Sequence, residues 1–127
     1  MRILALILVA LIAALHSYIA YFEIFAWETT GPRVFATLPA DLFADTVLLA
    51  ANQGMYNAFL AAGLIWSLLI QDRKWQSNIA SCFLIFVAVA GCFAAFTIST
   101  RILFVQAMPA IIALILLVLA RRGASGN

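Results

Sequence analysis

Three polar interruptions, the first of them long, divide this chain into four predominantly apolar stretches, at about residues 3–27, 46–70, 78–97 and 102–120. A run of about 20 apolar residues, coiled at about 1.5 Å per residue, is long enough to cross a hydrocarbon core of about 30 Å. In lipid such a run is restricted to helix, because every backbone N–H and C=O must be satisfied within the segment. The pattern predicts an all-α membrane protein, a four-transmembrane-helix bundle forming one domain over residues 1–122, with a disordered tail at 123–127. Composition agrees, since 67% of the residues are hydrophobic and 9% charged, against roughly 25% charged in soluble domains. A soluble fold would have too few polar side chains to cover its outside.

The first stretch begins like a secretory signal, with Arg2 before an apolar run. The run continues well past the 7 to 15 residues usual for such a segment, so it reads as an uncleaved first span. An even number of spans puts both termini on one side. That side collects Arg2, Arg73, Lys74, Arg121 and Arg122, leaving Arg33 and Arg101 opposite. The positive-inside rule then places the termini in the cytoplasm, as a multi-pass protein of the inner membrane. The formal net charge of +2 gives no reason to expect nucleic acid as a partner. Between the first two stretches, Pro32, Pro39, Phe35, Leu38, Leu42 and Phe43 predict one short interfacial helix. Pro109 is expected to kink the fourth span and free a carbonyl.

Small residues suggest where helices approach one another. Gly54, Ala58 and Ala62 form one ridge, and Ala88, Gly91, Ala94 and Ala95 another, so spans two and three are expected to meet along them. Cys82 and Cys92 lie ten residues apart on one span and cannot pair with each other.

Polar side chains inside the spans are the functional lead. Asn52, Gln53, Tyr56 and Asn57 fall within six residues of the second span. An amide stripped of water without a partner costs roughly 2–7 kcal/mol, so these groups need protein, water or a ligand. On the first span His16, Ala20, Glu23 and Trp27 share a helical stripe, and the fourth contributes Gln106 one turn beyond Arg101. Counting from the outer ends, all of this polarity lies in the outer half, while the inner parts of spans one and four are almost wholly apolar. The pattern predicts a polar, partly aromatic pocket near the outer surface, with Asn52, Gln53, Tyr56, Asn57, Gln106 and Trp27 as ligand contacts. His16 is the only histidine. A metal or haem would need ligands from another chain, so no metal and no cofactor is expected.

The arrangement H-x-x-x-x-x-x-E-x-F-x-W at His16, Glu23, Phe25 and Trp27 precedes A-N-Q-G-x-Y-N-x-F-L-A-x-G, ending at Gly63 in the second span. With A-G-C in the third span and Q-A-M-P-A from Gln106 to Ala110, the chain resembles the small bacterial integral-membrane family catalogued as domain of unknown function 1304. The resemblance implies a four-helix bacterial membrane protein and assigns it no biochemical activity.

Three functions fit these residues. The first is binding of a small amphipathic or lipid-like molecule in the outer pocket, with Glu23 and His16 supplying charge or a proton. The second is a membrane-embedded isomerase or hydrolase acting on an apolar substrate, with Glu23 or His16 as acid or base and Tyr56 donating to a developing oxyanion. The third is a small proton-coupled exporter. Glu23 near the end of its span and the five-to-two charge bias weigh against that one. Membrane lipid and a small amphipathic molecule are the expected partners, with homo-oligomerisation left open.

Overall fold

The computed structural model describes residues 1–125. Six α-helices follow one another: α1 (Arg2–Phe25), α2 (Trp27–Val34), α3 (Asp41–Asp45), α4 (Val47–Leu69), α5 (Arg73–Thr97) and α6 (Met108–Ser125). A π-helical turn, Leu103–Ala107, leads into α6, and no strand occurs among the described residues. Three stretches are long and apolar enough to cross a membrane: Arg2–Phe25 and Arg73–Thr97, each with mean hydropathy 2.5, and Leu103–Gly123, with 2.7. Four such helices are expected from the sequence. The missing one is α4, a 23-residue helix without a charged side chain, whose first half is diluted by Asn52, Gln53, Tyr56 and Asn57.

Local chemistry explains where the boundaries depart from expectation. α5 starts at Arg73, five residues before the expected 78, because Asp72 caps it: the Asp72 carboxylate accepts from the Trp75 N–H at 2.8 Å. An acceptor side chain at this position satisfies one of the N–H groups that a helix start leaves over. The interfacial segment forms two helices, α2 and α3, where one is expected. Before α6 the chain widens into the π turn, closed by the Met108 N–H on the Leu103 carbonyl. Pro109 follows at once and has no N–H to offer the preceding turn. α6 continues to Ser125, beyond the expected start of the tail, and residues 126 and 127 lie outside the described residues.

Contacts divide the chain, read from sequence as one domain, into two compact units. The first is Met1–Ala13 together with the chain from Ala62 onward; the second is Ala14–Ala61. In the first unit, close approach is bought by glycine. A Cβ on Gly91 would lie 2.9 Å from the Ala107 N, so α5 and the π turn meet at backbone distance, and a Cβ on Gly63 would overlap the Phe83 ring. Of the two small-residue ridges, Gly91 faces the π turn within the first unit, and Gly54 faces α1 within the second.

In the second unit the Trp27 ring stacks on Phe22 (centroids 6.0 Å, interplanar 19°) and packs against Phe43 at 5.2 Å and Phe35 at 5.9 Å. Phe43 sits where a side chain on Gly31 would be, 2.6 Å from that glycine's ideal Cβ. Aromatic pairs of this kind add about 0.5–1.5 kcal/mol each beyond their buried area, and here they fasten α2 and α3 to the end of α1.

Candidate functional site

The N-Q-G-x-Y-N run is the centre of the second unit, and its glycine comes first in the physical order. Gly54 is buried, and a Cβ there would stand 2.7 Å from Ile24 Cγ1, 3.0 Å from Glu23 Cβ and 3.1 Å from the Ala20 carbonyl. Only a residue without a side chain lets α1 approach α4 this closely. With the helices in contact, Asn57, one turn on from Gln53, reaches across. Its Nδ2 donates to Glu23 Oε2 at 2.8 Å and to the Gln53 carbonyl at 3.3 Å. Asn57 is 8% exposed, so this part-buried bond is less open to competition from water than a surface one.

The remaining polar side chains of the run face outward. Asn52 and Gln53 are exposed, and Tyr56 is 60% exposed, its ring meeting Phe59 edge-on at 6.3 Å. The pattern of cover along α4 is instructive. Eleven residues are close to three full turns at about 3.6 residues per turn, so Asn52, Gln53 and Tyr56 lie on the same lines of the helix as Gly63, Leu64 and Ser67. The first three are open and the second three are buried. One stripe of α4 is thus covered along its second half and bare along its first, where it carries two amides and a phenol.

Trp27, Gln106 and His16, also expected at the site, have local surroundings of their own. The Trp27 ring is taken up by the aromatic cluster, and its Nε1 donates to Thr46 Oγ1 at 3.0 Å, which itself donates to the Leu42 carbonyl at 2.7 Å. Gln106 belongs to the first unit, on the π turn, where its Cγ lies 3.1 Å from the Cβ position of Gly91. His16, two turns from Glu23 on α1, is completely buried. Glu23 has Asn57 as its partner, a pairing not foreseen, because the sequence offers His16, Arg33 and Arg101 as equally good neighbours. Nothing in the sequence marks Thr46 or Gly31 as part of the aromatic cluster, and Phe43 reads there only as a residue of the interfacial helix. In the sequence, Gly54 is marked only by its place between Gln53 and Asn57 on a small-residue ridge.

Chemically, the unit offers a carboxylate oriented by a buried amide and, around α4 from it, a hydrogen-bonding face that both donates and accepts. No group of three or more metal-binding side chains occurs among the described residues. A family model described as protein of unknown function (DUF1304) matches residues 10–118. The chain is similar to the uncharacterized protein YpaA of Lactococcus lactis subsp. lactis (strain IL1403), at 34% identity over 117 residues that cover 91% of this chain and 97% of that protein. No solved structure matches it.

Proposed function

The chain belongs to the DUF1304 family, and on that premise we propose that it is a multi-pass protein of the bacterial inner membrane that binds a small amphipathic or lipid-like molecule on the open stripe of α4. In this reading α4 is the fourth span beside the three longer apolar segments, and both termini are cytoplasmic. The five cations at one end against Arg33 and Arg101 at the other support that orientation. A bacterial relative covering nearly the whole chain supports the setting.

The observation that carries the binding reading is the change of cover along α4. Side chains eleven residues apart share a line, yet Asn52, Gln53 and Tyr56 are bare where Gly63, Leu64 and Ser67 are buried. Amides facing hydrocarbon without partners are costly, and a ligand with a hydrogen-bonding head and an apolar body removes that cost while the bare apolar surface around Tyr56 and Phe59 takes the body. Glu23, fixed by Asn57, holds α1 in place behind the stripe.

The test is native mass spectrometry of the protein purified in mild detergent, comparing copurifying small molecules in wild type with Asn52→Leu and Gln53→Leu. Retention lost in both variants, with the helical circular dichroism spectrum unchanged, is expected; equal retention in all three removes the reading. The exporter alternative depends on Glu23, and the isomerase or hydrolase alternative on Glu23 or His16 as acid or base. Glu23→Gln and His16→Gln, tested separately, therefore set both apart from binding on the α4 stripe, which is expected to persist in each variant.

A further inference from the structure

The first unit carries a second polar feature, far in character from the amide stripe. An open cleft of about 760 Å³ is lined by Arg2, Arg73, Lys74 and Arg121 with Ser77 and Asn78, and among the described residues no aspartate or glutamate lines it. In sequence these cations read only as markers of orientation. The fold brings them from α1, the start of α5 and the end of α6 around one hollow.

Two of the guanidinium groups are held in place by neutral oxygens. Arg2 Nη2 donates to Gln76 Oε1 at 2.7 Å, and Gln76 is itself anchored through Nε2 on the Ile70 carbonyl at 3.1 Å. Arg121 Nη2 donates to Asn78 Oδ1 at 2.5 Å and to the Lys74 carbonyl at 3.3 Å. These bonds fix direction without cancelling charge, and each guanidinium has five N–H donors. The nearest carboxylate in sequence, Asp72, is directed to the backbone of α5 as its cap. A preformed set of oriented, uncompensated donors is what a phosphate oxygen requires, because guanidinium matches it in both geometry and charge.

We infer that this cleft is a binding site for a phosphate-bearing anion, and specifically for the head group of an anionic phospholipid. The choice of lipid over free phosphate comes from the surface beside the cleft. Ile3, Leu4 and Ile7 of α1 and Val118 and Leu119 of α6 are exposed apolar side chains within two turns of Arg2 and Arg121, and they offer acyl chains a place that free phosphate cannot use. Basic pockets between apolar helices recognise anionic head groups in this way.

The test uses the full chain in nanodiscs and in detergent, with phosphatidylglycerol, phosphatidylcholine and inorganic phosphate as probes, read by native mass spectrometry and thermal unfolding. Phosphatidylglycerol is expected to be retained and to raise the unfolding temperature, with phosphatidylcholine far weaker. Arg73→Gln with Lys74→Gln, which leaves the bonds of Arg2 and Arg121 in place, should weaken the preference by about fivefold for each cation removed. Arg2→Gln and Arg121→Gln should weaken it further. Arg33→Gln with Arg101→Gln removes the same charge elsewhere and should leave it intact. Equal retention of the two lipids, or an equal loss in the Arg33 and Arg101 control, overturns the site. Displacement of the lipid by inorganic phosphate with the same rise in unfolding temperature overturns the lipid assignment and makes the cleft a phosphate site.

Discussion

α4 presents one stripe to two different surroundings. Along Gly63, Leu64 and Ser67 the stripe is buried, with Gly63 against the Phe83 ring and Leu64 completely hidden. Along Asn52, Gln53 and Tyr56 it is bare. The two stretches share helix, handedness and line, so the contrast isolates the effect of cover on residue type: the packed stretch holds a glycine, a leucine and a serine whose hydroxyl donates to the Leu64 carbonyl at 2.6 Å, and the bare one holds two amides and a phenol. In a soluble protein the bare half would need no explanation. For a helix read as lying in lipid it does, because water is not there to satisfy the amides.

Breaking the buried half should have the largest effect. Leu64→Asn removes apolar volume from a fully buried position and strands an amide there, which should lower stability by about 4 kcal/mol, measured by reversible unfolding in mixed micelles. Next comes the pair behind the bare half. Asn57→Leu takes the donor from Glu23 and should cost about 2 kcal/mol, whereas in a Glu23→Leu background, which has no acceptor, the same change should cost less than half as much; equal costs would show that the 2.8 Å bond contributes nothing. Gly63→Ala comes third. Its Cβ meets ring carbons of Phe83 rather than backbone, so the ring turns aside at a cost of about 1 kcal/mol, and Phe83→Leu should relieve most of it. The smallest effect on folding belongs to the bare half itself. Asn52→Leu should change stability by no more than about 0.5 kcal/mol, and a loss comparable to Leu64→Asn would mean that the two stretches are equally packed.

Much of the helical plan is legible in the residues. α1 and α4 fall within two residues of their expected limits, because long apolar runs without proline leave little else for the backbone to do. The start of α5 is misjudged since hydropathy does not see a cap: Asp72 and the basic residues after it look like a turn, although the aspartate begins the helix. The two helices between α1 and α4 depend on Trp27, Phe35 and Phe43 finding one another, which is tertiary packing. At the site, spacing correctly gathers Asn52, Gln53, Tyr56 and Asn57 around one part of a helix. It does not tell which side of that helix is covered, because a wheel has no neighbours drawn on it. Glu23 joins Asn57 rather than His16 for the same reason, and the permission for that bond comes from Gly54, a residue that makes no bond of its own through a side chain. The basic residues 2, 73, 74 and 121 are countable from the start, but their convergence on one cleft needs the ends of three helices in place.

The π turn at Leu103–Ala107 acts as a phase shifter. One more residue per turn than the helix that follows sets the side chains on either side about 100° out of step, so Ala107 meets Gly91 while Ala110, Ala113 and Leu117 still turn inward. Deleting a single residue from that turn would straighten the segment into ordinary helix and rotate Gln106 away from α5, with no change to the composition of either surface. The register of the last helix is therefore set by a count of residues, and a shortened chain should keep its helicity while losing the match between α5 and what packs against it.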